Sequence, residues 1–437
     1  MHSRNIYRNN PPDFESLAKA YPVLQQHFKA SQDNTVGVYN FQNPQAIIDL
    51  TQSLLNHDFQ LDVQLPIENL CPRLANRLNY ILWIEDLLNE TTGSGIARQG
   101  LDVGCGASCI YPLLACRHNP DWTFLATDIN HQSLLVAREN VSANALEDQI
   151  RIVEKSPKDS FFDFSETLDF TMCNPPFYAS PEEITELESF KHDKPRSKLL
   201  AHPNELITEG GEIQFIRKMF EDSYTYVFCN SLEKRKNHQT WFTTMIGKQS
   251  TLHTLIPLLK SKYQLDNYVI TTLVQGQHTR RWVLGWSFGY HRASDSISRI
   301  SQTNSPLKSL NPPVTEILVN LSSTEGFQAK LESTLSNLVR YGLSWEKSGE
   351  HLNVTVHRVR VPNDIWSRSF RRAWAKRQDD SSKPESKRQK LNDGLGYYLF
   401  TITLVSVKDP QLRIRWNYGV DFKIYESFVG MIKRACT

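Results

Sequence analysis

From residue 100 to 177 the hydrophobic pattern switches repeatedly between a strand period and a helix period. Gly100-Leu101-Asp102-Val103 is a strand-like run closed by the turn Gly104-Cys105-Gly106-Ala107-Ser108. Cys109 to Arg117 reads as a helix, with Pro112 tolerated in its early part. Trp122 to Asp128 is a second strand. His131 to Asn144 follows as an amphipathic helix, with Leu134, Leu135, Val141 and Ala145 in phase. Ile150 to Val153 is a third strand, and Phe170-Thr171-Met172-Cys173 a fourth that must stop at Pro175-Pro176, since proline cannot donate to a ladder. Strand, glycine turn, helix, strand and acid make the doubly wound, Rossmann-like α/β pattern. Downstream, the pattern predicts a helix over Ile207 to Phe220, a fifth strand over Trp241 to Lys248 and a helix over Leu252 to Tyr263. Tyr268 to Val274 and Arg281 to Phe288 read as a strand pair completing a seven-stranded sheet near residue 290.

The flanks differ from this core. Residues 1–50 form an N-terminal module, in which Leu17, Tyr21, Leu24 and Phe28 recur at helical spacing after Pro11-Pro12-Asp13-Phe14. A helix over Arg77 to Leu88 opens the 51–290 domain, with Arg77 where a cation opposes the helix dipole. Ser180 to Asn204 is polar and reads as a loop beside the fourth strand. Residues 291–312, rich in Ser, Asn and Pro, read as a linker. A second, α+β domain follows over 313–437. It has strands at 314–321, 343–347, 352–361, 396–407 and 411–416, a helix marked by Phe327, Leu331 and Leu335, and a last helix carrying Phe422, Phe428, Val429 and Ile432. Its basic insertion, 366–392, interleaves Arg368, Arg371, Arg372, Lys376 and Arg377 with Trp366, Phe370 and Trp374.

Composition narrows the class. The chain has 437 residues, 40% apolar and 22% charged, so two or three domains with ample core are expected. No apolar run approaches the roughly 20 residues that span a bilayer. The N-terminus lacks the apolar centre of a signal peptide. A net charge of +2 places any nucleic-acid contact in local basic patches. Seven cysteines without paired metal spacing predict reduced thiols inside the cell and no metal site.

The chemistry gathers at Asn174-Pro175-Pro176-Phe177. An Asn amide oxygen and a proline-adjacent carbonyl can accept both N–H bonds of an exocyclic amine, and Phe177 can stack on its ring. That grouping suits methylation of a planar nitrogen. Upstream, the glycines let backbone approach a ligand, and Asp128 suits two ribose hydroxyls. The turn lacks the third glycine of a dinucleotide fingerprint, so a nucleoside without pyrophosphate fits, and S-adenosyl-L-methionine is the methyl donor this implies. Arg77 has two readings, a buried ion pair or a ligand carboxylate. Arg4 and Arg8, ahead of the first helix, are candidate phosphate contacts. The basic run supports either RNA-backbone binding or nuclear import through Lys387-Arg388-Gln389-Lys390.

Taken together, Met1-His2-Ser3-Arg4-Asn5, Pro11-Pro12-Asp13-Phe14, Arg77-Leu78-Asn79-Tyr80-Ile81, Gly104 to Pro112 and Asn174 to Phe177 resemble the methyltransferase-like protein 16 family. The resemblance covers residues 1 to about 290 and extends to Tyr268–Phe288. It implies a Rossmann-like class I methyltransferase fold and transfer of a methyl group to an unpaired adenosine N6, in U6 small nuclear RNA. Carried over, Arg77 meets the donor's carboxylate, Gly104 and Ser108 its methionine portion, Asp128 its ribose and Asp159 its adenine, where Thr is the family's residue. Asn174 binds the target amine between donor and base, with Pro175, Pro176 and Phe177 completing the catalytic set. Arg4, Arg8, Arg281, Arg371, Arg372, Lys376 and Arg377 are the expected RNA contacts. Ile6 departs from a basic residue of the family. Lys158 lies on the loop expected to gate donor entry. The C-terminal domain is similar in element order to a kinase-associated-1 module. A monomer in the nucleus, with the cytoplasm as a second location, is the expected setting. The catalytic motifs also resemble ribosomal RNA adenine N6-methyltransferases and protein glutamine N5-methyltransferases, and a donor-fold protein that only binds RNA is the non-enzymatic alternative.

Overall fold

The computed structural model describes residues 1–29, 38–189, 201–229, 239–275, 279–301, 305–321, 326–351, 354–379, 397–406 and 410–436. The chain divides into two compact units, 1–289 with 299–311, and 290–298 with 312–437.

The first unit opens with helices α1 (Phe14–Ala20), α2 (Pro44–Phe59) and α3 (Leu74–Thr92). The helical spacing that starts at Leu17 does not continue to Phe28. Tyr21 precedes Pro22, whose ring disfavours the helical region for its predecessor, and the chain passes into a 3-10 turn over Pro22–His27. Leu17, Leu24, Tyr39, Ala46 and Leu50 share one small core. The boundary expected at residue 50 therefore falls inside α2.

The central sheet comprises β1 (Arg98–Val103), β2 (Trp122–Asp128), β3 (Ile150–Glu154), β4 (Phe170–Cys173), β5 (Trp241–Ile246), β6 (Tyr268–Gln275) and β7 (Thr279–Trp286), in the order β3-β2-β1-β4-β5-β7-β6. The first five are parallel, and β7 runs antiparallel to both of its neighbours. Helices α4 (Ile110–His118) and α5 (His131–Ala143) connect β1 to β2 and β2 to β3. The order reverses between β1 and β4, and their carboxyl ends flank the switch-point crevice where such sheets bind ligands.

After β4 come α6 (Pro181–Ser189), the single turn α7 (Pro203–Leu206), α8 (Gly211–Phe228) and α9 (Gln249–Lys262). The loop expected over 180–204 thus carries a helix. The next helix starts at Gly211 rather than Ile207, because Leu206 and Thr208 exchange backbone bonds with Tyr178. Gly210 and Gly211 then take φ of 72° and 63°, which side-chain-bearing residues rarely adopt. The core packs Leu101, Phe242 and Trp286 against Ile216 and Phe220 of α8 and Leu255 and Leu259 of α9.

The second unit is a five-stranded antiparallel sheet of β8 (Glu316–Asn320), β9 (Ser344–His351), β10 (Val354–Val361), β11 (Tyr398–Val405) and β12 (Gln411–Tyr418), ordered β8-β12-β11-β10-β9. Helices α10 (Phe327–Val339) and α12 (Phe422–Cys436) bury Leu331, Leu335, Tyr425 and Phe428 against Phe400 and Trp416. Between β10 and β11 lies α11 (Arg368–Asp379), so the basic run that the sequence shows is in part helical.

The segment read as a linker is divided between the two units. Arg292 donates through Nε to the Gly419 carbonyl (3.0 Å) and stacks on Trp416, with its guanidinium carbon 4.1 Å from the ring centroid. Ile300 and Leu307 instead join the core of the first unit, and Tyr268 donates to the Leu310 carbonyl at 2.8 Å. A stacked arginine anchors the first half and apolar side chains among the polar ones anchor the second.

Gly100 pairs with Phe124 on one side and Phe170 on the other, and those rings meet edge-to-face at 5.5 Å. A Cβ at Gly100 would sit 2.6 Å from Phe170 Cζ and 2.8 Å from Phe124 Cε1. Gly100→Ala should therefore cost about 1–3 kcal/mol by overpacking, read as a lower urea midpoint. An unchanged midpoint would show that the two rings can move apart freely.

Candidate active site

A cavity of about 950 Å³ opens at the carboxyl ends of β1, β2 and β4. Its walls include Arg77, Gly104, Ser108, Tyr111, Asp128, Asp159, Asn174, Pro175 and Pro176. The fold therefore brings the expected donor residues together with Asn174, Pro175 and Pro176 in one cavity, while Phe177 is not part of its wall.

The glycine turn is pinned to the end of β2. Gly104 N and Cys105 N both donate to the Thr127 carbonyl, at 2.8 and 2.9 Å, and Gly106 N donates to Asp128 Oδ2 at 2.9 Å. Asp128 Oδ1 accepts the Asn130 amide, also at 2.9 Å. Each carboxylate oxygen keeps a lone pair for a ligand hydroxyl. Gly104 has φ of 77°, and a Cβ there would meet no atom within 4 Å, so its exposed backbone faces open space.

Arg77 projects from the start of α3. Its Nη1 donates to Tyr111 Oη at 2.7 Å, and its Nε is buried without a hydrogen-bond partner. Among the described residues no carboxylate lies within ion-pair distance of it. The charge of Arg77 is thus not matched by an ion pair among the described residues. Beneath it, Asp102 is fully buried and neither of its carboxylate oxygens has a partner among the described residues. Burial raises its pKa to about 8; Arg77 opposes the shift and Asp128 adds to it. Sequence alone places Asp102 on a strand and gives it no role. The available signal is an acid between Leu101 and Val103 in the apolar end of a parallel strand.

Asp159 lines the cavity, but its Oδ2 accepts the Ser156 amide at 2.7 Å, so one oxygen holds its own loop. The carbonyl of Asp159 accepts Lys218 Nζ at 2.5 Å, and Phe161 N donates to Asp222 at 3.0 Å, which fastens this loop to α8.

On the acceptor side, Asn174 is half-buried at the end of β4. Phe177 packs beside the cavity. Its Cδ1 would lie 2.7 Å from a Cβ at Gly247, and the Arg281 guanidinium carbon stands 5.2 Å from its ring centroid. Burial holds Arg281 below its usual pKa, so this arginine is part of the wall around Phe177 rather than a freely solvated cation. Glu212, which no sequence motif singles out, is buried and accepts Gly247 N (2.7 Å), Lys248 N (3.1 Å) and Thr251 Oγ1 (2.5 Å). It caps α9 and fixes the turn against which Phe177 rests.

The expected RNA contacts are scattered. Arg4 pairs with Glu85 (2.7 Å) and Asp86 (2.5 Å) of α3, so its charge is matched within the protein and it clamps the N-terminal arm. Arg8 is exposed, and Arg371, Arg372 and Lys376 are exposed on α11. The side chain of Arg377 and the run Lys387–Lys390 lie outside the described residues. Among the described residues no group of three or more His, Cys, Asp or Glu could hold a metal ion, and no helix is long and apolar enough to cross a membrane.

Asp102 makes the unliganded fold pH-sensitive. A carboxyl raised from 3.8 to about 8 binds its proton more tightly folded than unfolded, so stability falls as pH climbs through that window. Asp102→Asn has no proton to lose. Its melting temperature should exceed that of the wild type at pH 8, with the gap shrinking toward pH 5. A gap independent of pH would show that Asp102 is ionised throughout.

A family model described as RNA methyltransferase matches residues 1–290. The U6 small nuclear RNA (adenine-(43)-N(6))-methyltransferase of Schizosaccharomyces pombe is 33% identical over 405 residues, covering 91% of this chain and 95% of the relative. The RNA N(6)-adenosine-methyltransferase METTL16 of Homo sapiens is 38% identical over 296 residues, covering 66% of this chain and 50% of the relative. The chain thus spans about half the length of the vertebrate relatives it matches. The human METTL16 catalytic domain in complex with MAT2A 3'UTR hairpin 1 aligns with a TM-score of 0.58 at 38% identity, over 66% of this chain and 95% of that one. The N-terminal domain of human METTL16 in complex with SAH aligns with a TM-score of 0.52 at 36% identity, over 66% and 98%. With the switch-point cavity, the glycine turn and the Asn-Pro-Pro-Phe end of β4 all in place, the chain belongs to the methyltransferase-like protein 16 family of RNA methyltransferases.

Proposed function

We propose that this protein is an RNA adenine N6-methyltransferase that uses S-adenosyl-L-methionine and acts on an unpaired adenosine, in U6 small nuclear RNA. The observation that carries the reading is the sharing of one cavity by Asn174-Pro175-Pro176 and the Gly104–Asp128 turn. The names of the relatives and the hairpin-bound structural neighbours support RNA as the substrate class.

The residues present fit the donor. Arg77, with a buried Nε lacking a partner, offers a cation to a carboxylate. Asp128 offers lone pairs to ribose hydroxyls, and the bare Gly104 backbone leaves room beside it. When bound, S-adenosylmethionine supplies an electrophilic methyl group. The work of the chain is at the acceptor. The Asn174 amide oxygen and the adjacent proline-flanked carbonyl accept the two N–H bonds of the adenine amine, which draws the nitrogen's lone pair out of the ring and toward the donor side. Phe177, backed by Gly247, fixes the plane of the base. A base in a stable helix cannot present its amine this way, so the target is unpaired. Arg8 and the exposed cations of α11 supply backbone contacts, and the Lys387–Lys390 run supports nuclear import. The site is complete within one chain, which supports a monomer.

Asn174→Ala should lower turnover by a factor of about 100 or more, as removal of one preorganised site group does elsewhere. Its donor affinity by calorimetry should stay near that of the wild type. Digested wild-type product should contain N6-methyladenosine alone. N4-methylcytidine, or label only in a protein glutamine, would overturn the assignment.

Replacing Arg371, Arg372, Lys376 and Arg377 together should flatten the dependence of log affinity on log salt for a structured RNA. The slope should fall by about 0.7 for each phosphate that is no longer neutralised. A slope equal to that of the wild type would leave the basic run as a targeting signal only.

A further inference from the structure

We infer that Tyr111 is a positioning residue that presents Arg77 to the carboxylate of the methyl donor, an inference that rests on the donor-pocket reading above. Tyr111 is the second residue of α4 and only 4% exposed. Its hydroxyl accepts Arg77 Nη1 at 2.7 Å and donates to Met245 Sδ at 3.4 Å. The Arg77 guanidinium carbon lies 5.1 Å from the Tyr111 ring centroid. Tyr80, three residues after Arg77 on α3, meets the Tyr111 ring edge-on at 5.7 Å and is itself bonded to Thr243 of β5 at 2.7 Å. Tyr111 is thus locked between α3 and β5 before it touches Arg77.

The chemistry of the acceptor matters. Arginine has several soft torsions and needs a restraint to hold its guanidinium in one direction. A carboxylate partner would hold the guanidinium but also neutralise it, and would compete with a ligand carboxylate. A phenol hydroxyl is a neutral acceptor, and burial raises its pKa, so it stays neutral. It restrains one nitrogen, and the ring face adds a cation–π attraction, while the net charge remains available to the cavity. Sulfur is a weak acceptor, so Met245 orients the hydroxyl hydrogen away from Arg77 without a strong bond of its own.

The test is calorimetric titration of the full chain with S-adenosylhomocysteine and with 5′-methylthioadenosine, which keeps the nucleoside and thioether but lacks the amino-acid end. Tyr111→Phe retains the ring and removes only the hydroxyl. It should weaken S-adenosylhomocysteine about tenfold and leave methylthioadenosine within about twofold. In the Arg77→Ala background, adding Tyr111→Phe should cost nothing more, because the hydroxyl acts through the arginine. Unchanged S-adenosylhomocysteine binding, equal loss for both ligands, or full additivity with Arg77→Ala would each overturn the inference. Wild-type protein that binds S-adenosylhomocysteine no better than methylthioadenosine would instead overturn the donor-pocket reading itself.

Discussion

One carbonyl holds the catalytic end of the sheet in shape. Thr127, at the end of β2, accepts both the Gly104 and the Cys105 amides, and the neighbouring Asp128 accepts Gly106. Three consecutive donors of the turn after β1 are thereby satisfied by the adjacent strand end. The turn can then curl away from the sheet without leaving buried amides unpaired. That curl opens the crevice between β1 and β4, which Gly104, Ser108, Asp128 and Asn174 line. Asp128 is consequently a scaffold as well as the proposed ribose ligand, two duties that Asp128→Asn and Asp128→Ala would disturb to different extents.

The polar groups below the turn follow the opposite rule. A buried polar atom normally finds a partner, yet Arg77 Nε and both oxygens of Asp102 have none among the described residues. A guanidinium without a counter-ion and a buried carboxyl without a hydrogen-bond partner are both costly in the empty protein, and the raised pKa of Asp102 is one expression of that cost. The proposed donor carboxylate would answer the first of these defects, while Asp102, fully buried and not part of the cavity wall, keeps its proton instead.

The sheet, the glycine turn, Asp128 and Asn174 were legible in the sequence because each is dictated locally. Strand period, glycine spacing and paired prolines allow few alternatives. What escaped notice depends on contacts distant in sequence. The helix expected from Ile207 starts later because Tyr178 claims Leu206 and Thr208 as backbone partners. Residues 291–312 read as a linker from their Ser, Asn and Pro content, since the core that receives Ile300 and Leu307 is formed elsewhere. Arg4 read as a free cation because Glu85 and Asp86, some 80 residues on, are its partners. Tyr111 and Glu212 carry no local signature, and Asp102 shows only as an acid within a strand; the fold alone shows what each faces.

The acceptor motif depends on its surroundings more than its four residues suggest. Two prolines deprive it of backbone donors, so the sheet that delivers it cannot also hold it in place. Its position comes from outside. Tyr178 is laddered to Leu206 and Thr208, and the Ala179 amide donates to Glu183 at 2.7 Å. Glu183 in turn pairs with Lys248, next to the Gly247 that backs Phe177, and Glu212 fixes both amides of that pair. A chain could keep Asn-Pro-Pro-Phe intact and still lose the aim of its Asn carbonyl by changing Glu183, Glu212 or Gly247. The sequence of the motif therefore argues for activity only together with the residues that clamp it, and in this protein those clamps are present.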